Sequence, residues 1–395
     1  MAAIPRILKM PESVTASVFL WGPRKSGKST WIRSQLQKDQ SVWYIDFLES
    51  DTYSEYLTRP SLIRERFLAL PGKPDWVVVD EIQRIPEILN EVHWLIENAQ
   101  ARFLLTGSSA RKLRRGQANL LGGRAWRREM RPFCLQELGL PDYNPERLEK
   151  IFQSGLLPPH YLASQPSEAL SGYITDYLKE EIAAEAASRN LRAFSLFLKV
   201  AGMTSCDLLS YENLSREVGV SAKVIRSYFE ILEDTLLGSR LAAYRSSPTR
   251  RMALADKFYL FDVGVANTLA RRRPAWGSSE FGKSLEHMVW MELQAYRAYC
   301  DRDLELSFWR TSTGLEVDFV LNDKEAAIEV KSGRVHATDC KSLAAIAADG
   351  PVAQRMVVCL ESQSRTIEDK HGPIQILSIR DFLSWLWSRP ASFAL

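Results

Sequence analysis

The sequence is poor in the residues that build covalent or metal staples. Its five cysteines, Cys134, Cys206, Cys300, Cys340 and Cys359, stand far apart with no C-x-x-C pair. That excludes a disulfide framework and a cysteine-built zinc site. Five histidines are equally dispersed, without H-E-x-x-H spacing, so no histidine-based metal centre is expected. No apolar run approaches the ~18–20 residues that cross a bilayer. Met1 to Glu12 has no apolar stretch leading to a small-residue cleavage site, so a secretory leader is not expected and a cytoplasmic location with reduced thiols is. An excess of one charge is also missing: 51 Lys and Arg against 48 Asp and Glu leave +3. Any basic partner surface must therefore be local. Internal repeats and low-complexity tracts are absent as well.

What is present is ordinary globular material. The 395 residues are 46% hydrophobic and 25% charged, enough apolar side chain for two or three cores and too much for disorder over most of the length. The first third alternates short apolar runs with helical stretches, the pattern of a parallel α/β sheet. Strands are expected at Ser17–Trp21, Val42–Asp46, Trp76–Asp80 and Phe103–Thr106, with helices from Lys28 and from Pro86. The middle is helical from about Pro145 to Met203. Tyr211 to Leu232 then reads as helix, glycine turn at Gly219 and second helix, a helix-turn-helix layout. Two strand-like segments, Ser239–Tyr244 and Lys257–Asp262, joined by a loop with Arg245, Arg250 and Arg251, suggest the wing of a winged helix. Lys223 and Arg226 lie where a groove-facing helix would put them, but Glu230, Glu233 and Asp234 follow closely, so autonomous DNA reading is not expected. After a linker at Arg271–Ser279, a helix, several strands and a final helix form another α/β unit. The expected domains are 1–144, 145–270 and 271–395.

Gly22-Pro23-Arg24-Lys25-Ser26-Gly27-Lys28-Ser29 fits G-x-x-x-x-G-K-[ST], directly after a strand and before a helix. Such a loop turns backbone N–H groups onto phosphates and adds the helix N-terminal dipole. The expected nucleotide-binding residues run from Gly22 through Thr30. Lys28 would reach the β- and γ-phosphates and Ser29 would ligate Mg²⁺. Asp80, ending an apolar strand, suits the Mg²⁺ water shell, and Glu81 suits the general base that polarises water. Ser108, at the end of the next strand, is placed to orient that water.

Taken together, Gly22–Ser29, Val77–Glu81, Leu104–Ser109 and Leu121-Gly122-Gly123-Arg124 resemble prokaryotic AAA+ ATPases that carry a C-terminal nuclease-like domain of unknown function. Pro132-Phe133 and Glu137-Leu138 match that family's spacing. The resemblance implies ATP rather than GTP and a homo-oligomer such as a hexameric ring. It also implies that Arg124, at the family's Gly-Arg position, completes a neighbour's pocket. The segment around Arg124 is unusually basic: Arg111, Lys112, Arg114, Arg115, Arg127, Arg128 and Arg131. It reads as a solvated face or as a phosphate-contacting surface.

A second candidate site lies near the end of the chain. Glu316-Val-Asp318 on one strand and Glu329-Val-Lys331 on the next form the PD-(D/E)xK pattern. Residues two apart on a strand share a face, so Asp318, Glu329 and Lys331 can converge there, with Glu316 a competitor to Asp318. Two carboxylates would bind Mg²⁺ while Lys331 steadies phosphate charge or activates water. Glu286 matches the helical acid of the resembled family and is a further expected ligand. The same alternation also describes a half-exposed strand without chemistry. Two functions follow as expectations: an ATP-driven motor that remodels and cuts branched or junction DNA, or an ATP-driven switch whose nuclease-like domain only binds. No membrane partner is expected.

Overall fold

The computed structural model describes residues 4–10, 16–36, 40–109, 125–140, 142–175, 190–245, 255–301 and 303–390. Arg124 and the expected basic residues Arg111, Lys112, Arg114 and Arg115 lie outside them, as do Arg250 and Arg251. Two compact units are formed, one from residues 1–132 with 231–237 and one from 133–230 with 238–395. The segments expected as middle and C-terminal domains contribute to the second unit, except Ile231–Leu237, which belongs to the first.

In the first unit the strands β1 (Ser17–Trp21), β2 (Val42–Asp46), β3 (Trp76–Asp80), β4 (Phe103–Gly107) and β5 (Ala125–Glu129) pair in the order β2-β3-β4-β1-β5. All four pairings are parallel. β1, β3 and β4 are buried along their whole length, which is why they read as continuous apolar runs. The helix Ile88–Ala99 presents Ile88, Leu89, Val92, Leu95 and Ala99 to the core, positions one face of a 3.6-residue period shares. β5 was not legible as a strand: Ala-Trp-Arg-Arg-Glu is partly exposed at the sheet edge and has no apolar alternation.

The second unit has an eight-stranded sheet of order β12-β13-β11-β10-β9-β8-β6-β7. The strands are β6 (Gly238–Ala243), β7 (Lys257–Leu260), β8 (Leu306–Arg310), β9 (Glu316–Leu321), β10 (Ala326–Lys331), β11 (Gln354–Cys359), β12 (Arg365–Asp369) and β13 (Gly372–Ser378). The 21-residue helix Ser279–Tyr299 precedes β8. Its N-cap Ser278 accepts a hydrogen bond from Phe281 N at 3.1 Å, a cap that contributes about 1 kcal/mol. The helices Tyr211–Val218 and Ala222–Asp234 flank a left-handed Gly219 (φ 76°) as the turn required. The segments expected as the wing of a winged helix do not stand apart as a hairpin of their own. β6 and β7 pair with each other, but β6 also runs parallel to β8, so both belong to the large sheet. Apolar burial explains the difference: β7 is buried throughout, and a solvated wing would expose Phe258 and Leu260. β12 and β13 were not anticipated either, because β12 is largely exposed and lacks a run of apolar residues.

Two buried carboxyls hold chain segments of this unit together. Asp262 accepts from Leu156 N (2.7 Å) and Val265 N (3.0 Å). Glu292 accepts from Leu135 N (2.7 Å), Gln136 N (3.3 Å) and the Trp387 indole (2.7 Å). Burial lifts Glu292 to about 7 and Asp262 to about 6, outweighing these donors. Burial also pushes His287 down to about 4. A carboxyl raised on folding stabilises fully below its unfolded value, and that stability is lost as pH rises through the folded one. Glu292 therefore favours the fold below about pH 4.5, its ordinary value, and loses that contribution on the way to pH 7. His287 acts oppositely, losing stability as pH falls from 6.5 toward 4. Thermal unfolding of Glu292→Gln between pH 4.5 and 7 should show a flatter fall of stability with rising pH than the parent. An unchanged slope would remove Glu292 as its source.

Candidate functional site

The phosphate loop crosses from β1 into the helix Lys28–Gln35, and its glycines are required by space and by conformation. A Cβ on Gly22 would stand 2.5 Å from the Met130 carbonyl oxygen, closer than any side chain allows. Gly27 has φ 96°, a left-handed backbone that glycine adopts without strain. The Ser26 hydroxyl is buried with no hydrogen-bond partner among the described residues. An orphaned buried hydroxyl on a loop that runs into a helix N-terminus is what an anion would satisfy.

Lys28 lies inside this loop, its side chain 5% exposed. Its ammonium donates to Gly22 O (2.9 Å) and Pro23 O (3.3 Å) and stands 3.8 Å from Glu81 Oε1. Burial lowers its pKa, against the opposing pull of Glu81 and Asp80. Ser29 Oγ donates to Asp80 Oδ2 at 2.8 Å, which joins the end of the loop to the end of β3. A hydroxyl and a carboxylate in contact are hard oxygen ligands, a donor set that suits Mg²⁺. The rest of the expected nucleotide-binding stretch, Pro23, Arg24, Lys25 and Thr30, lies on the same loop and first helical turn, Lys25 and Thr30 exposed.

Asp80 also receives Tyr44 OH on Oδ2 at 2.7 Å, and its Oδ1 is bonded by Thr106 Oγ1. Burial and the adjoining Asp80 raise the Tyr44 hydroxyl well above its ordinary pKa, so it remains a donor. Glu81 has φ 58°, an uncommon left-handed conformation for a residue with a side chain. Its Oε2 is held by Ser108 Oγ (3.1 Å) and by Gln83 Nε2, which also donates to Ser108 Oγ at 3.0 Å. The structure therefore brings Lys28, Ser29, Asp80, Glu81 and Ser108 together.

Gln83 and Tyr44 were missed. Gln83 sits on the short 3₁₀ turn Ile82–Arg84 behind Glu81, and nothing in its spacing distinguishes it from a surface polar residue. Tyr44 could have been noticed as a polar tip facing the β3 acid from a neighbouring parallel strand. Gln83→Ala should lower kcat of ATP hydrolysis by about tenfold with a smaller change in KM, since it frees the Glu81 carboxylate rather than removing it. Steady-state phosphate release measures both, and an unchanged kcat would show that Ser108 alone suffices.

The second candidate site is arranged differently from expectation. β9 and β10 are antiparallel neighbours. Asp318 Oδ2 accepts from Val330 N at 2.8 Å, and Glu329 Oε1 pairs with Lys331 Nζ at 2.8 Å. Burial and the Glu286 charge push Asp318 well above its ordinary pKa, and burial raises Glu329. Glu286, on the helix Ser279–Tyr299, accepts from Tyr259 OH at 2.6 Å. The expected metal set of Glu286, Asp318 and Glu329 is not assembled as a metal cage. Among the described residues no group of three or more His, Cys, Asp or Glu is placed to hold a metal ion. Lys257, which sequence reading placed on a wing, stands among these acids: its ammonium lies 3.1 Å from Glu286 and 2.5 Å from Glu316.

Residues 15–139 match the family model of an AAA domain. That stretch is a P-loop ATPase domain of the AAA type. Residues 145–275 match a domain of unknown function, DUF8612, and residues 281–381 match another, DUF4143. The uncharacterized protein Rv2008c of Mycobacterium tuberculosis is 26% identical over 328 residues, covering 80% of this chain and 70% of its own. The uncharacterized protein Mb2031c of Mycobacterium bovis matches to the same extent. Domain III of the replication initiation protein DnaA from Thermotoga maritima aligns with 55% of this chain and 84% of that domain. Its identity is 16% and its TM-score 0.21, too low to carry an argument. Among the described residues, no helix is long and apolar enough to cross a membrane.

Proposed function

We propose that the chain is an oligomeric ATP-driven switch that acts on nucleic acid. ATP sits on the loop Gly22–Thr30, with Lys28 at its phosphates. Ser29 and Asp80 would hold Mg²⁺, which offsets phosphate charge. Glu81 takes a proton from the attacking water, and Ser108 and Gln83 fix the angle of its carboxylate. Arg124 from a neighbouring subunit steadies the developing charge on the transferred phosphoryl group. The observation that carries the hydrolytic reading is the contact of Glu81 with Ser108 Oγ at 3.1 Å, beside Lys28: a base held in place next to a phosphate-binding amine.

The nucleic-acid half of the proposal draws support from exposed Arg127 and half-buried Arg128 on the edge strand β5, where Arg128 lies over the exposed Trp126 ring at 5.1 Å. Arginine beside an exposed aromatic is a combination that suits phosphates and bases. In this reading the second unit binds its partner and does not cut it. A motor-nuclease that cleaves branched or junction DNA is the second reading. It is favoured by one buried atom, Glu329 Oε2, which has no hydrogen-bond partner among the described residues.

The deciding experiment measures ATP hydrolysis with Mg²⁺ in the presence of linear, single-stranded and four-way-junction DNA, with the DNA followed on a gel. Hydrolysis stimulated by DNA that stays intact is the expected result. DNA cut by the parent and spared by Glu329→Ala would replace it with the motor-nuclease. Hydrolysis indifferent to every DNA form would remove nucleic acid from the proposal.

A further inference from the structure

Lys257 begins β7 with its side chain 3% exposed, and it points into the acids that sequence reading assigned to a metal. Its Nζ lies 3.1 Å from Glu286 Oε1, 2.5 Å from Glu316 Oε1 and 3.9 Å from Asp318 Oδ1. The other oxygens of Glu316 and Asp318 are also engaged. Arg310 Nη1 stands 2.6 Å from Glu316 Oε2, and Val330 N donates to Asp318 Oδ2 at 2.8 Å. Tyr259, two residues along the same strand and hence on the same face, donates to Glu286 Oε1 at 2.6 Å.

These contacts do not fit a divalent ion. Mg²⁺ requires a near-octahedral oxygen shell at about 2.0–2.1 Å. An ammonium within hydrogen-bonding reach of two of the carboxylates would repel it at close range and already uses the oxygens it needs. Removing one side of such a buried ion cluster leaves the other side without compensation, so the lysine and the acids depend on one another.

We propose that Lys257 is the resident cation of this cluster, standing where a divalent metal would have to sit, so that the second unit holds no Mg²⁺ there. The cluster then serves as an ionic joint. It ties β7 to the helix Ser279–Tyr299 and to β9, three elements far apart in the chain. This inference does not rest on ATP hydrolysis, and it deepens the reading in which the second unit binds without cutting.

The test uses Mn²⁺ as probe, with binding to the nucleotide-free full-length chain followed by electron paramagnetic resonance. The parent and Asp318→Asn should bind Mn²⁺ equally weakly. Lys257→Met should acquire a new site at least ~10-fold tighter, equivalent to about 1.4 kcal/mol, that is lost again in Lys257→Met with Asp318→Asn. Lys257→Arg, which keeps a cation, should acquire none. Parent Mn²⁺ binding that Asp318→Asn removes would overturn the proposal, and so would a folded Lys257→Met without a new site. Should Lys257→Met fail to fold, as judged by circular dichroism, the comparison of parent with Asp318→Asn decides alone. Overturning it would strengthen the motor-nuclease reading and leave the ATPase proposal intact.

Discussion

Glu81→Gln is expected to lower kcat for ATP hydrolysis by about 10²- to 10⁴-fold, the range a positioned general base contributes. Glutamine keeps the length and planarity of the side chain and still offers a carbonyl oxygen to Ser108 Oγ, which now stands 3.1 Å from Glu81 Oε2. What it loses is the ability to accept a proton. ATP affinity should change much less, because the loop amides, Lys28 and the Ser29–Asp80 contact at 2.8 Å are untouched. The one electrostatic change near the amine is loss of the Glu81 charge 3.8 Å from Lys28, which removes a competitor of the phosphates. Phosphate release and equilibrium binding of a fluorescent ATP analogue separate the two effects. A variant that hydrolyses ATP within a few fold of the parent would take the base role from Glu81.

The second large effect is on stability. Asp262→Ala should destabilise the protein by about 3–5 kcal/mol, because two buried backbone N–H donors lose their acceptor at about 1–3 kcal/mol each. One is the Leu156 amide, 2.7 Å from Oδ2, in a segment more than 100 positions earlier. The other is Val265 N, which makes Asp262 the N-cap of the helix Val263–Ala270. The carboxylate is packed directly against glycine backbone. A Cβ on Gly155 would lie 2.2 Å from Asp262 Oδ1, and one on Gly264 would lie 2.2 Å from Gly155 N. The two chain segments therefore touch backbone to backbone. Asp262→Asn keeps one acceptor but turns an NH2 donor toward the other backbone N–H, so it should still cost at least half as much. The midpoint of thermal unfolding followed by tryptophan fluorescence should fall by about 10 °C for alanine. A fall of only a degree or two would mean that water replaces the carboxylate.

Much of the nucleotide site was legible because its chemistry is contiguous. A strand, a glycine-rich turn and a helix start place Gly22 to Ser29 around one point, whatever the rest of the chain does. An acid pair ending an apolar strand is nearly as local. Strand parity likewise put Glu316 with Asp318, and Glu329 with Lys331, on common faces, since a two-residue period needs no knowledge of neighbours.

Tertiary structure alone decided which faces meet. Lys257 joins Glu286, Glu316 and Asp318 because β6 runs beside β8 and carries β7 into the same sheet. Sequence reading put those segments on the wing of a winged helix because a strand pair's own pattern does not say which third strand it joins. Gln83 reaches Ser108 because β3 and β4 are parallel neighbours whose ends lie side by side. The sequence by itself thus determined the groups that contact along the chain. Pairing across the sheets, driven by burial of apolar faces, determined which charges had to neutralise one another, and so whether an acid cluster faces a metal or a lysine.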